Sequence, residues 1–221
     1  MAFSATRARE KLIAQLRKAG INDDRVLAAL NRVPRERFVP ESLQGRAYDN
    51  VALPIGEDQT ISQPYVVAHM VQALRLVGNE HVLEVGTGSG YGAAVLARIA
   101  GDVVSIERNV ELAATASVRL RQIGCTNVQV VLGDGSLGWP ELAPYDAIVV
   151  TASSPEVPEP LLDQLADRGR LVVPVGSLTE QQLVMIDRTD CQLHSHDLGK
   201  VRFVPLIGAA GFRMLDPSRN N

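Results

Sequence analysis

Two cysteines, Cys125 and Cys191, are all that the 221 residues contain, and they stand 66 positions apart. That is neither a metal-ligand spacing nor a redox pair, so both are expected to be small buried or half-buried thiols in a reducing compartment. A basic excess is also missing. The formal net charge is -3 and the pI about 5.8, which excludes the whole-molecule positive field that holds nucleic acid without sequence preference. No apolar run reaches the ~20 residues of a membrane span, and the opening MAFSATRAREKL has no apolar core of a signal peptide. The protein is therefore expected in the cytoplasm. Low-complexity stretches and internal repeats are likewise missing.

What is present is ordinary for a folded enzyme-sized chain: 46% hydrophobic and 21% charged residues in 23.8 kDa. A chain this long buries roughly 70% of the surface its unfolded form exposes, so it needs no disulfide or metal staple. Charge is unevenly spread. Residues 1–46 hold ten basic and five acidic side chains, the remainder twelve and twenty. Such a basic flank suits either the solvated faces of amphipathic helices or attraction of acidic peptides.

Helical spacing of Leu12, Ile13 and Leu16 predicts a first helix over 4–19 that stops at Gly20. A second is predicted over 23–32, with Asp23 and Asp24 at its positive start and Val33-Pro34 ending it. Residues 34–61 carry Pro40, Gly45, Pro54 and Gly56 with little periodicity and read as a long ordered loop of the kind that is usually functional. From Ser62 a helix resumes and ends at Gly78. Short apolar runs follow at 81–85, 103–107, 128–132, 147–150 and 170–175, separated by helices near 90–100, 110–123 and 158–167. Val/Ile-rich runs alternating with helices indicate a parallel sheet buried on both faces. Runs at 181–188 and 200–207 are placed as an antiparallel end of that sheet. The expected fold class is α/β, doubly wound and mostly parallel, with a helical N-terminal extension. A single domain is expected, divided into the extension over 1–60, a core over 61–208 and a tail over 209–221.

The first strand runs into VLEVGTGSGYGAAVLA, where Gly86, Gly88 and Gly90 alternate as strand hands over to helix. Glycine admits positive φ and lets the backbone approach a ligand, and the helix start offers free N–H groups to an anion. A dinucleotide site wants G-x-G-x-x-G, with glycine where Tyr91 stands. The observed G-x-G-x-G, with Glu84 two residues ahead, is instead similar to the S-adenosylmethionine loop of Rossmann-like methyltransferases. A tight turn without a ligand is the bland alternative. Glu107 closes the second strand, where a carboxylate accepts ribose hydroxyls or simply ends a strand. In Gly133-Asp134-Gly135 the aspartate reaches an adenine amino group or forms an Asx turn. Ser62, with Pro64 two positions on, reads as a helix N-cap, a role compatible with holding a substrate carboxylate. His69 is read as a helix-surface or satisfied histidine, and His194 and His196 as surface residues without ligand partners.

In order along the chain, TISQP, LEVGTGSGYGAA, VVSIER, GDGSLGWP, YDAIVVTAS, PEVPEPLLDQLADRGRLVVPVG and VRFVPLIG resemble the protein-L-isoaspartate O-methyltransferase family, from about residue 35 to 208. The glycine loop is shared by many methyltransferases, whereas DQTIS and RFVPL are far more specific. The resemblance implies S-adenosyl-L-methionine as methyl donor and S-adenosyl-L-homocysteine as product. It places Glu84, Gly86, Thr87, Gly88, Gly90, Glu107, Gly133, Asp134 and Gly135 at the cofactor, Ser62 at the active site, and Thr60, Ile61, Ser62, Val204 and Leu206 at the substrate. No metal is implied. Ser153-Ser154, where the family often has alanines, is expected to alter the pocket wall.

The implied reaction methylates the free α-carboxyl of an L-isoaspartyl residue in damaged proteins and peptides, after which the ester closes to a succinimide. The expected partners are isoaspartyl proteins and peptides, without nucleic acid or membrane, and the protein is expected to be a monomer. A peptide-tailoring aspartyl O-methyltransferase and a non-catalytic S-adenosylmethionine-binding module are the alternatives. A nucleic-acid methyltransferase is disfavoured by the acidic balance and the missing aromatic-plus-amide base-reading motif.

Overall fold

The computed structural model describes residues 2–213. Helices α1 (Ala2–Lys18) and α2 (Asp24–Arg32) lead the chain. The Asp23 side chain caps α2 by accepting from the N–H groups of Arg25 and Val26, as the sequence predicts. The expected loop over 34–61 has more structure than its composition signals. It holds two 3-10 turns, at Arg35–Phe38 and Glu41–Arg46, and a hairpin of β1 (Leu53–Gly56) and β2 (Gln59–Ile61). The hairpin tip is Glu57-Asp58, both at left-handed φ (52° and 53°), without the glycine or asparagine that marks such turns in a sequence.

Helix α3 runs Pro64–Leu74, four residues short of its expected end at Gly78, and its cap residue Arg75 lies in the left-handed region. Its N-cap is Gln63, which makes no side-chain cap bond, so Ser62 is not the cap. The reason is Pro64: its ring fits the first helical position and holds the preceding residue extended, with Gln63 at ψ 134°.

The seven-stranded sheet comprises β3 (His81–Val85), β4 (Asp102–Glu107), β5 (Val128–Leu132), β6 (Tyr145–Val150), β7 (Leu165–Gly176), β8 (Gln181–Thr189) and β9 (Gln192–Val201), in the order β5-β4-β3-β6-β7-β8-β9. The first five are parallel; β8 and β9 are antiparallel. Three helices lie between parallel strands: α4 (Tyr91–Leu96), α5 (Val110–Gln122) and α6 (Glu159–Asp163). The class expected from the sequence is the class observed. Helix α6 is shorter than the expected 158–167 because Leu165 already pairs with Tyr145, and a left-handed Arg168 then breaks the register. The expected strand over 200–207 is displaced: β9 occupies 192–201, and 202–207 leaves the sheet, touching it at an isolated bridge from Pro205 to Ser153. Proline donates no ladder bond, and an edge strand with an exposed HSHD face carries no apolar alternation to read. Cys125 is buried, but Cys191 is exposed in the left-handed β8–β9 turn, contrary to expectation.

Alternation along the strands divides the core by sheet face. Val82, Val103, Ala147, Val149 and Val172 pack with α3, α4 and the N-terminal helices. Leu83, Val85, Val104, Ile148, Val150 and Leu171 form the cluster on the other face.

Candidate functional site

The sheet order reverses at β3 and β6: the chain continues from β3 outward through β4 and β5, then returns to β6. Open parallel sheets bind ligands beyond the carboxyl ends of strands at such a switch point. A cavity of about 360 Å³ lies there. Its walls gather Thr60, Ile61 and Ser62 from the hairpin side, Glu84 to Ser89 from β3 and its glycine loop, Glu107 to Asn109 after β4, Gly135, Thr151 after β6, and Val204 to Ile207. Segments separated by more than a hundred residues thus share one enclosure.

The glycine loop is shaped by what surrounds it. Gly86, Gly88 and Gly90 have φ of 95°, 53° and 91°. A Cβ on Gly86 would stand 2.4 Å from Thr151 Oγ1, which donates to Gly86 O at 2.7 Å. Glu107 accepts Gly88 N–H at 2.8 Å on Oε2 and Asn109 N–H at 2.9 Å on Oε1. Each carboxylate oxygen keeps a lone pair for a further donor such as a ribose hydroxyl. Thr87 is buried, with its hydroxyl 2.6 Å from Ser105 Oγ.

Glu84 is 1% exposed and accepts from Ser105 Oγ at 2.5 Å. Burial pushes its carboxyl up to about 8, Glu107 adding to the shift and the Ser105 bond opposing it. Room for this carboxylate comes from Gly92 in α4, where a Cβ would lie 2.1 Å from Glu84 Oε1. Ser105 is the hydrogen-bond partner of this buried acid among the described residues, and a carboxyl so placed at the floor of a cavity suits a cationic ligand group. The positive-φ loop, the Glu107 carboxylate and Glu84 together fit an adenosyl cofactor that carries an ammonium and a sulfonium.

At the other end of the cavity Ser62 is half-buried, Ile61 buried and Thr60 exposed. Val204 and Leu206 line the same space. Gly133 and Asp134 do not line it, although Gly135 does. The Asp134 carboxylate accepts Ser136 N–H and Oγ–H on Oδ1, at 2.9 and 2.7 Å, and Ala209 N–H on Oδ2 at 2.7 Å. Burial opposes ionisation, yet these bonds hold the carboxyl below its ordinary range. Ser153 and Ser154 are fully buried behind the wall and outside the lining, and Ser153 touches the wall through backbone pairing and through its hydroxyl, which donates to Val204 O at 3.4 Å. His69 is satisfied by Leu198 O at 3.1 Å and stacks on Tyr65. Both His194 and His196 are exposed, on β9.

Sequence reasoning did not single out Gly92, Ser105, Asn109 or Thr151. A glycine inside a helix start was a usable signal for Gly92. Asn109 caps α5 and donates its amide to Glu57 Oε2 at 3.0 Å, tying the hairpin tip to the loop beside Glu107. Its partners lie far off in sequence, so spacing does not reveal them.

A mostly parallel sheet with this glycine loop and strand-end acid around one cavity at the switch point has the architecture of a Rossmann-like methyltransferase. The family profile "Protein-L-isoaspartate(D-aspartate) O-methyltransferase (PCMT)" matches residues 7–211. The chain belongs to that family. It is 52% identical over 207 residues to the protein-L-isoaspartate O-methyltransferase 1 of Syntrophobacter fumaroxidans, covering 93% of this chain and 97% of the relative. With the Methanoculleus marisnigri protein-L-isoaspartate O-methyltransferase it shares 51% over 208 residues, 94% of each. A solved protein-L-isoaspartate O-methyltransferase superposes with a TM-score of 0.83 at 34% identity, covering 92% of this chain and 67% of that one. A Plasmodium falciparum structure described as a protein-L-isoaspartate O-methyltransferase in complex with S-adenosyl-L-homocysteine gives 0.79 at 25%, covering 90% and 98%. The cofactor of the family is S-adenosyl-L-methionine.

Proposed function

We propose that the protein methylates the free α-carboxyl of L-isoaspartyl residues in damaged proteins and peptides and so starts their repair through a succinimide. One observation carries the reading: a single cavity joins the Thr60–Ser62 segment and the Val204–Leu206 wall to the glycine loop. Family membership over nearly the whole chain supports it.

The bound cofactor supplies a methyl group on a sulfonium, and its loss leaves a neutral thioether, so positive charge is consumed. An acceptor carboxylate with an ordinary pKa near 4 is already ionised at neutral pH, and no general base has to act. The residues of the chain therefore bind, align and exclude water. Glu84, Glu107 and the loop of Gly86, Thr87, Gly88 and Gly90 hold the donor, with Gly135 beside it. Ser62 orients the acceptor carboxylate by donating from its hydroxyl, next to Thr60 and Ile61. That hydroxyl has no partner among the described residues and is free to do so. Val204 and Leu206 flank the peptide. Selection by backbone contact fits substrates that share an extra main-chain methylene and little side-chain sequence.

The working unit is a single methyltransferase domain, a cytoplasmic monomer without nucleic-acid partners. Among the described residues no helix is long and apolar enough to cross a membrane. The test is a pair of peptides differing only in isoaspartyl against aspartyl linkage, incubated with methyl-labelled cofactor. The isoaspartyl peptide is expected to take up base-labile label and its partner little. Equal labelling of both would reject the repair reading in favour of a tailoring enzyme, and no labelling of either would leave a binding module.

A further inference from the structure

Beyond β9 the chain leaves the sheet and runs along the cavity as Val204, Pro205, Leu206 and Ile207. This wall is fastened at both ends. At the near end Ser153 N–H donates to Val204 O at 2.8 Å and Leu206 N–H to Ser153 O at 2.7 Å. At the far end Phe212 N–H donates to Leu206 O and Gly208 N–H to Phe212 O, at 2.7 and 3.1 Å, closing a turn. The turn aims two successive amides away from the cavity wall: Ala209 N–H reaches Asp134 Oδ2 at 2.7 Å and Ala210 N–H reaches Ser136 Oγ at 3.0 Å. Ser136 is fully buried and spends its own hydroxyl proton on Asp134 Oδ1.

The fit is close. A Cβ on Gly208 would stand 2.0 Å from Asp134 Oδ1 and 2.4 Å from Ser136 Oγ. Gly208 does not occupy the left-handed region, so the backbone itself tolerates alanine there. Glycine is demanded only by the approach to Asp134 and Ser136. Those two oxygens, in turn, cannot retreat without breaking three or more hydrogen bonds.

We propose that Asp134, Ser136 and Gly208 form a clasp that fixes the peptide-facing wall Val204–Ile207, which makes Asp134 and Ser136 positioning residues for the isoaspartyl acceptor. This rests on the reading of the Ser62 end of the cavity as the peptide site. It gives Asp134 a task on the acceptor side of the cavity, where the motif alone leaves an adenine contact and an Asx turn both open and the resemblance implies the cofactor. The clasp sets where the wall stands, and the wall sets how well the peptide backbone is held. Loss of the clasp therefore weakens acceptor binding while leaving the methyl-transfer geometry reachable once the peptide is bound.

Gly208→Ala and Ser136→Ala test it in the full-length enzyme. Each is expected to raise KM for an isoaspartyl peptide about five- to tenfold, the size of one or two lost hydrogen bonds. Turnover at saturating peptide is expected to stay within about twofold, as is the Kd for S-adenosyl-L-homocysteine measured by calorimetry. Should Ser136→Ala fail to fold, Gly208→Ala at its half-exposed position carries the test alone. An unchanged peptide KM in Gly208→Ala overturns the clasp. A rise in the Kd for S-adenosyl-L-homocysteine as large as the rise in KM also overturns it, by returning Asp134 and Ser136 to the cofactor side. Amide exchange over 204–212 reads the clasp without any substrate: Gly208→Ala should exchange faster there, and unaltered exchange sinks the proposal. The wild-type paired-peptide assay is separate, and its failure removes the substrate reading alone.

Discussion

Glu84 sits on the same face of β3 as Val82, enclosed by Ser105 and by the space that Gly92 leaves in α4. Its carboxyl is raised by burial from an ordinary 4.5 to about 8, so the folded chain binds a proton that the unfolded chain releases between those values. The sign follows: an acid raised on folding stabilises the fold at low pH, and that contribution fades as pH rises toward 8. Denaturant unfolding between pH 5 and 8 should show stability falling with pH, by at most about 1.4 kcal/mol per unit for one proton. Glu84→Gln keeps the shape and removes the titration, so it should flatten that slope. A slope that survives in Glu84→Gln belongs to other groups and refutes the assignment. Ser62 gives the complementary case. Because Gln63, without a side-chain bond, stands at the cap of α3, Ser62→Ala should leave the melting temperature unchanged. Turnover on isoaspartyl peptide should drop about tenfold to a hundredfold, the cost of one hydrogen bond to a charged acceptor. Equal turnover would remove Ser62 from the reaction.

Elements buried on both faces were legible in the sequence, and elements at the edges were not. The strands at 81–85, 103–107 and 128–132 were read within a residue of β3, β4 and β5, because unbroken Val/Ile runs have one reading in an alternating α/β pattern. The β1–β2 hairpin and β9 escaped. One turns on two charged residues and the other shows solvent a polar face, so neither has the periodicity that burial imposes. The site divides likewise. Gly86, Gly88, Glu107 and Ser62 lie in contiguous motifs, whereas the partners of Asn109 and Ser136 come from 52 and 74 positions away. Asn109 now allows a prediction about the hairpin as an element. Ile55 of β1 lies 3.5 Å from the site of a Cβ on Gly88, so the hairpin covers the glycine loop while Asn109 holds its tip through Glu57. Asn109→Asp keeps the oxygen that caps α5 but sets a carboxylate against Glu57. Helix content by circular dichroism should be retained, and affinity for S-adenosyl-L-homocysteine should weaken about three- to tenfold by calorimetry, as loss of one hydrogen bond plus repulsion implies. Unaltered affinity would show that the tip contact has no part in enclosing the cofactor.

Across the whole molecule the question is whether the N-terminal helices are an appendage or part of the fold. Leu12 and Leu16 of α1, Ile21 and the α2 residues Val26, Leu27 and Leu30 are all buried in the same cluster as Met70, Leu74, Tyr91 and the sheet residues Val82 and Val172. Arg35 reinforces the join: fully buried, it donates to Ala47 O at 2.8 Å and lies 4.8 Å over the ring of Tyr91, at the start of α4. The helices therefore supply one wall of the core that backs the glycine loop, and unfolding them exposes that wall. Trp139, the sole tryptophan, lies on the far side of the sheet with the second cluster, which makes it a reporter remote from α1. Leu16→Ala removes a side chain with no solvent exposure and should cost about 2–5 kcal/mol. In a cooperative fold that loss shifts the Trp139 fluorescence transition and the far-ultraviolet circular dichroism transition by the same amount. A Trp139 transition that stays at its wild-type midpoint while circular dichroism moves would mean that the helices come away alone, and that the sheet and its cavity stand without them.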